Sequence, residues 1–329
     1  MTKGTKFQHI EQEFVNNYKK IDLVKKELSK LVFGQEEVIK QIIISILANG
    51  HALLVGLPGL AKTRMVNNLG LILGLDTKRV QFTPDLMPGD VIGTEILDEN
   101  RQKEQKFIFI KGPVFSQLLL ADEINRASPR TQSALLQSMQ EKEVTVAGKN
   151  YDLPRPFHVL ATQNPIDQEG TYPLPEAQLD RFLMNIKISY PDKDAEKKIL
   201  LLSGDNIEKH PDTILSAKDL INIQDFIRKI PVGNDVLDHI LQIVENTRPE
   251  TTKFDSVRNS VLWGPSPRAA MALLAASKAK AFLENRASPS FFDIQSLIKP
   301  VLSHRMKLKL VAESDGVFLD KLLEDIFKI

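Results

Sequence analysis

The sequence predicts an α/β protein in which a mostly parallel β-sheet carries helices on both faces and a smaller all-helical domain follows. Up to about residue 190, short apolar runs such as "HALLVG" alternate with helical patterns such as "RTQSALLQSMQEKE", and this alternation is typical of parallel sheets. Beyond that point nearly every segment has helical spacing. We therefore expect an N-terminal extension (1–20), an αβα domain (21–190) and a helical domain (191–329).

Each predicted strand is a short apolar run bounded by polar or turn-forming residues. The strands after "HALLVG" are "KRVQFT" at 78–83, "FSQLLLADE" at 115–123, "HVLATQNP" at 158–165 and "LMNIKISYP" at 183–191. Two further segments, at 90–112 and 143–156, alternate in polarity around a polar middle, which predicts two β-hairpins within the αβα domain.

The composition excludes several classes of protein. The 329 residues include 43 basic and 42 acidic side chains, so the net charge of +1 gives no global nucleic-acid footprint. Cysteine is absent, which rules out disulfides and thiolate chemistry. The first twenty residues lack the apolar core of a signal peptide, and no apolar run is long enough to cross a bilayer. We expect a cytoplasmic protein that does not insert into membranes.

A glycine-rich turn between a predicted strand and a predicted helix, from Gly56 to Thr63, resembles the phosphate-binding pattern G-x-x-x-x-G-K-[ST], with Ala61 in place of the second glycine. Backbone N–H groups at such a helix start bind phosphate, while Lys62 would reach the outer phosphates and Thr63 would hold Mg²⁺. The alternative is a tight turn with a solvated lysine. The predicted nucleotide contacts here are Gly56, Leu57, Pro58, Gly59, Leu60, Ala61, Lys62, Thr63 and Arg64.

Polar residues also end the next two predicted strands. Asp122 and Glu123 follow "LLLA", where Asp122 could hold Mg²⁺ and Glu123 could orient and deprotonate an attacking water. Asn164 ends "HVLATQ", from where its amide could bind the γ-phosphate or that water. Taken alone, the acid pair could be a helix start, and an Asn before Pro is a common strand end.

Two arginines have a possible role at a nucleotide. Arg181, in "LPEAQLDRF", is predicted late in a short helix, from which it could project into the site of a neighbouring subunit. The alternative is a surface ion pair with Asp180 or Glu176. Arg268 follows a Ser-Pro helix start, where a cation opposes the helix dipole unless a bound anion offsets it or the side chain simply faces solvent.

Together these motifs resemble the AAA+ ATPases, and specifically their MoxR family. The chain has a G-x-P-G-x-A-K-T Walker A motif, "LADEINRA" as Walker B, "ATQNP" as sensor 1, "LPEAQLDRF" and a G-P-S-P-R-A sensor 2, in that order. The Ala61 departure is itself a feature of that family. The resemblance runs from about residue 32 to the last helices.

The resemblance implies ATP and Mg²⁺ as ligands, an αβα domain with a helical lid, and a ring, expected to be hexameric, with ATP between subunits. It implies that Gly34 and Gln35 contact adenine, that Glu123 and Asn164 act on the lytic water, and that Arg268 is sensor 2. Arg181 is the expected trans-acting arginine, with Arg126 as a second candidate. It also implies protein clients, often with a metal-binding von Willebrand A domain.

Other functions share part of this evidence. An ATPase subunit of a magnesium-chelatase-like complex would carry the same motifs. A DNA-acting AAA+ motor is disfavoured by the balanced charge, and a scaffold that no longer hydrolyses ATP is disfavoured by Glu123. The histidines, including His51 and His158, lie far apart in the sequence and are expected to be structural rather than metal ligands.

Overall fold

The computed structural model describes residues 3–99, 105–165, 170–202 and 211–329. Its strands are β1 (Ala52–Gly56), β2 (Thr77–Gln81), β3 (Gly93–Glu99), β4 (Gln105–Lys111), β5 (Leu118–Asp122), β6 (Glu143–Val146), β7 (Lys149–Asp152), β8 (His158–Gln163), β9 (Met184–Ile188), β10 (Val261–Trp263) and β11 (Lys307–Leu308).

Helices occupy most of the remaining described chain. They are α1 (Lys3–Leu31), α2 (Glu36–Leu47), α3 (Lys62–Ile72), α4 (Pro88–Ile92), α5 (Pro129–Glu141), α6 (Glu176–Leu179), α7 (Lys193–Leu202), α8 (Ala217–Arg228), α9 (Asn234–Asn246), α10 (Asp255–Ser260), α11 (Pro267–Leu283), α12 (Phe291–Leu302), α13 (Leu310–Ser314) and α14 (Leu319–Phe327). Single 3₁₀ turns lie at Ile124–Arg126 and Ser303–Arg305.

The central sheet has five strands in the order β2-β5-β8-β1-β9, and every neighbouring pair is parallel. Successive residues of a strand point to opposite faces, and the two faces accordingly bury different sets. Leu54 and Leu120 belong to one apolar core, whereas Leu53 and Leu119 belong to the other. The predicted α/β class, with helices over a parallel sheet, is confirmed.

One of the two cores continues from the sheet into the helical region. It joins α1 and α2 to α8, α11 and α12 without interruption, and the Phe14 ring of α1 packs edge-on against Phe282 of α11 at 5.3 Å. Phe14, within the predicted N-terminal extension, therefore lies on helix α1 and packs on the helical region. The predicted domain boundary at residue 190 stays a prediction, since the apolar core is shared across it.

The two predicted hairpins are present. Strands β3 and β4 pair antiparallel, as do β6 and β7, while the middle of the first hairpin, at residues 100–104, lies outside the described residues. The helical region contains one feature that its sequence pattern did not predict. Strands β10 and β11 form a small antiparallel pair. Within the described ranges, no helix is both long and apolar enough to span a bilayer.

Candidate nucleotide site

The glycine-rich turn links the end of β1, which lies inside the sheet, to the start of α3. Gly59 and Ala61 both have positive φ, at 82° and 55°, a conformation that glycine adopts easily and alanine at a cost. This backbone directs N–H groups toward one space: those from Gly59 to Arg64 have no acceptor among the described residues. Such a row of free donors at a helix start is a cradle for phosphate.

Lys62 lies under this cradle. Its side chain is buried, and Nζ donates to the carbonyl oxygen of Gly56 at 2.6 Å. Burial lowers the pKa of the Lys62 amine, while the nearby carboxylates of Asp122 and Glu123 raise it. The ammonium is therefore held between the loop and the acids at the end of β5, which is where the terminal phosphates of a nucleotide would lie.

Asp122 is the last residue of β5 and its carboxylate is fixed through both oxygens. Oδ1 accepts a hydrogen bond from the Thr162 hydroxyl at 2.5 Å. Oδ2 accepts from Nε and Nη2 of Arg79 at 3.1 and 2.7 Å. The oriented, buried carboxylate of Asp122 and the hydroxyl of Thr63 in the first turn of α3 are hard oxygen ligands of the kind that Mg²⁺ prefers, so the residues present fit this ion.

Glu123 has a left-handed backbone, with φ at 56°, which is uncommon for a residue with a side chain. Its N–H donates to the Thr162 hydroxyl at 2.8 Å. Oε2 of its carboxylate accepts from Gln81 at 2.7 Å and pairs with Nη1 of Arg126 at 3.2 Å. Thr162 therefore sets the turn that carries Glu123 away from the strand, and the side chains of Gln81 and Arg126 orient its carboxylate.

Asn164 follows β8, which lies between β5 and β1 in the sheet. The residue is buried. Because parallel strands end at the same edge, Asn164 follows the strand between the one that leads into the glycine-rich turn and the one that ends in the acids, and its role at the γ-phosphate stays a prediction.

Gln35, which follows Gly34, is tied to the chain just beyond this edge of the sheet. The Gln35 amide donates to the Ser189 carbonyl at 2.8 Å, and Ser189 follows β9, whose last residue is in register with Gly56. Gly34 and Gln35, which were expected to contact adenine, are thus held at the residue that follows β9, next to the end of β1 where the phosphate cradle begins.

The two remaining predicted arginines belong to segments that are linked through Asp180 and Ser266. Arg181 comes two residues after the last residue of α6, so the expectation that it lies within the helix is wrong. Neither acid considered as its partner is available: Asp180 pairs with Arg305, and Glu176 with Lys307. Nε of Arg181 is buried and has no hydrogen-bond partner within the described chain. Arg268 is exposed in the first turn of α11, next to Ser266, which donates to Asp180.

His51 and His158, which were expected to be structural, both use their two ring nitrogens in hydrogen bonds inside the protein. His51 Nδ1 accepts from the Val159 N–H at 2.9 Å, so its Nε2 donates to Met139. His158 Nδ1 donates to Gly50, and its Nε2 accepts from Gln224. In the described part of the chain no three His, Asp or Glu side chains form a metal-binding group.

Three residues that sequence reasoning missed contribute to the site: Thr162, Arg79 and Gln81. Gln81 is in register with Asp122 across β2 and β5, and Arg79 lies two residues earlier on the same face. Thr162 stands two residues before Asn164 on β8. The period-2 rule finds all three once β2 and β8 are known to be the neighbours of β5, but the strand order was not predicted.

A phosphate cradle at the start of a helix, paired acids on a nearby strand and a helical region packed on the sheet define a nucleotide-binding module of the AAA class. Residues 51–184 match the family of AAA ATPases associated with various cellular activities, and residues 255–326 match the AAA lid domain.

Curated relatives extend this likeness over nearly the whole chain. The chaperone MoxR1 of Mycobacterium tuberculosis is 40% identical over 292 residues, which cover 88% of this chain and 76% of that protein. The protein YeaC of Bacillus subtilis is 39% identical over 91% of this chain and 90% of its own length. The MoxR protein of Paracoccus denitrificans is 28% identical over 85% and 86% of the two chains.

A crystal structure from Cytophaga hutchinsonii, of a protein provisionally described as an ATPase, superposes with a TM-score of 0.91. It is 42% identical and the match covers 98% of both chains. The chain belongs to the MoxR family of AAA+ ATPases, which confirms the resemblance found in its motifs.

Proposed function

We propose that this protein hydrolyses ATP in a Mg²⁺-dependent reaction and uses the energy to remodel or mature partner proteins. The observation that carries the proposal is the meeting of Lys62, Asp122 and Glu123 at one edge of the sheet, where the pKa of the lysine responds to both carboxylates. A phosphate-binding amine, a metal-binding acid and a water-orienting acid are the parts that phosphoryl transfer to water needs.

Each residue has a separate task in this proposal. The N–H groups of the loop and Lys62 bind the phosphates, and Asn164 contacts the γ-phosphate or the lytic water. Thr63 and Asp122 would hold Mg²⁺, which when bound neutralises phosphate charge. Within the described chain only Oε2 of Glu123 is engaged, so Oε1 is able to accept a proton from the attacking water.

We propose that a second subunit supplies a cation to the γ-phosphate. Arg126 pairs with Glu123 of its own chain, which makes it the weaker of the two trans-acting candidates. Arg181, whose Nε is without a partner in the described chain, follows Asp180 directly, and the exposed Arg268 is linked to Asp180 through Ser266. A ring of subunits, expected to be hexameric, would place these arginines at the neighbour's nucleotide.

The chaperone name of the M. tuberculosis relative supports a protein client for this chain. The β3–β4 hairpin, with the exposed apolar side chains of Leu97 and Phe107, offers a surface for such a client, and clients with a von Willebrand A domain follow from the family. A magnesium-chelatase-like ATPase subunit remains the alternative, because the nucleotide site would be the same. Pull-down with partner proteins of each kind distinguishes the two.

The proposal is tested by measuring ATP turnover against protein concentration while light scattering reports the mass of the assembly. We expect turnover per subunit to rise with concentration, to follow ring mass and to require Mg²⁺. Glu123→Gln should bind ATP, hydrolyse almost none and hold the ring longer. The matched control is Glu141→Gln at the exposed end of α5, which should behave as wild type.

Two results would contradict parts of this proposal separately. Wild-type protein that binds ATP and assembles but shows no turnover, with or without a client, is not an ATPase. Turnover that is independent of assembly removes the trans-acting arginine and leaves a monomeric nucleotide switch.

A further inference from the structure

The segment that carries Arg181 is held by one buried side chain from the helical region. Arg305, in the 3₁₀ turn after α12, is only 3% exposed. Its Nε donates to Oδ1 of Asp180 at 2.7 Å, and its Nη atoms donate to the carbonyl oxygens of Phe182 at 2.6 Å and Leu183 at 3.2 Å. One guanidinium thus fixes both the residue before Arg181 and the two residues after it.

The second oxygen of the same carboxylate fixes the other arginine. Oδ2 of Asp180 accepts a hydrogen bond from the Ser266 hydroxyl at 3.0 Å. The Ser266 oxygen in turn caps α11 by accepting from the N–H of Arg268 at 3.2 Å. Asp180 therefore directly precedes Arg181 in the chain and is linked to the backbone of Arg268 through the Ser266 hydroxyl.

Electrostatics indicates that this cluster is compact. Asp180 raises the pKa of the Arg305 guanidinium, and Arg268 lowers it, in addition to the lowering caused by burial. Arg305 and Arg268 therefore lie close enough to repel each other, and Asp180 is the acid that lies near both of them. A groove of about 490 Å³ opens on this cluster, lined by Asp180, Ser266, Arg305 and the indole of Trp263.

We propose that Asp180 and Arg305 are positioning residues that hold Arg181 and Arg268 in one rigid unit, so that both reach a neighbour's nucleotide together. The inference rests on the proposed function, in which these arginines act in trans. It adds that the lid, through Arg305, sets where the arginine of the αβα part points. We call the surface that presents Arg181 and Arg268 to the neighbouring subunit the arginine face. A ring that lost the Asp180–Arg305 pair would keep its nucleotide sites intact, but its arginine face would be misaligned.

The test begins with Asp180→Ala, which removes both hydrogen bonds, and Asp180→Asn, which can keep their positions without the charge. We expect Asp180→Ala to lower kcat by roughly 10–100-fold, the cost of misplacing a reacting group by about 1 Å. ATP binding should be unchanged, because the subunit's own cradle is untouched. Asp180→Asn should recover a large part of the lost kcat.

The matched control breaks another buried pair in the helical region that does not contact the Arg181 segment. Asp293 pairs with Arg286, and its side chain is 1% exposed, against 19% for Asp180. Asp293→Ala should therefore lower thermal stability at least as much as Asp180→Ala while leaving kcat of the assembled ring near wild type.

Mixed rings separate positioning from damage to the subunit's own site. Glu123→Gln subunits have an inactive site but a normal arginine face, and Asp180→Ala subunits have the reverse. When the two are mixed before nucleotide is added, random assembly pairs a working site with a working face at about one interface in four. We expect turnover per subunit near one quarter of wild type, although each variant alone is almost inactive.

The possible outcomes lead to different conclusions. If Asp180→Ala keeps wild-type kcat and only loses stability, or if mixing with Glu123→Gln restores nothing, the positioning role is wrong. Should Asp180→Ala fail to assemble, Asp180→Asn and Arg305→Lys undergo the same mixing test. Arg181→Ala is measured in parallel: full activity of that variant would overturn the trans-acting arginine of the proposed function itself.

Discussion

Acid should destabilise this protein between pH 6.5 and 4 because of two buried histidines beside the nucleotide-binding strand. His51 and His158 use both ring nitrogens in their neutral forms, one as donor and one as acceptor. A second proton on either ring would face an N–H group that already points at it. Burial accordingly lowers the pKa of His51 to about 3 and that of His158 to about 4.

The sign and size of the effect follow from linkage. Both pKa values are lower in the folded state, so their contribution is complete above the unfolded value near 6.5 and is lost as the pH falls. At pH 5 the unfolded chain binds a proton at each histidine and the folded protein binds almost none. The cost relative to pH 7 is roughly 2 kcal/mol for each of the two residues.

The assay is urea unfolding, followed by circular dichroism at pH 7, 6 and 5, for the wild type and His51→Asn. Asparagine can still accept from the Val159 N–H but does not titrate. We expect the variant to be less stable at pH 7 and to lose about 2 kcal/mol less than wild type between pH 7 and pH 5. His239→Asn, at a half-buried position on α9, is the control, with a smaller change. Identical pH dependence in His51→Asn and wild type would refute the argument.

Three further substitutions test other parts of the structure. Lys62→Ala should abolish binding of a fluorescent ATP analogue while circular dichroism stays unchanged, because Lys62 is the amine under the phosphate cradle; retained binding would remove its predicted role. Gly34→Ala should lower the free energy of unfolding by roughly 1–3 kcal/mol, since φ is +67° and the new Cβ would lie 2.6 Å from that of Ala195; urea unfolding measures this. Ser216→Ala should cost about 1 kcal/mol in the same assay, because the Ser216 hydroxyl accepts from the Asp219 N–H at the start of α8, and no loss would show that the cap is dispensable.

The sequence predicted the strands of the central sheet well because they depend on local pattern. The run "LLLADE" contains β5, whose five residues are all buried, and the acids at its end lie where parallel strands present their carboxyl ends. Ala61 shows what the local pattern could not predict. The motif located the turn, but only the backbone shows that this alanine adopts the left-handed conformation, with φ at 55°.

Features that depend on pairing between distant segments were not predicted. β10 and β11 are three and two residues long, too short for period-2 alternation to stand out from helical patterns on either side. Arg79 and Gln81 are polar residues of the predicted strand "KRVQFT", and only the register with β5 shows that they face the two acids. Composition and spacing carry no information about which strands become neighbours.

The arrangement of the arginines shows most clearly why sequence could not complete the site. Arg181 and Arg268 each looked like a separate motif, and an ion pair with Asp180 was the natural local alternative for Arg181. Asp180 instead pairs with Arg305, which lies 125 residues further along the chain. A carboxylate between two arginine-bearing segments lowers their mutual repulsion only when the lid is docked on the sheet. The acid next to Arg181 therefore couples the two parts of the molecule, and in the proposed function Arg181 itself is left to bind a neighbour's phosphate.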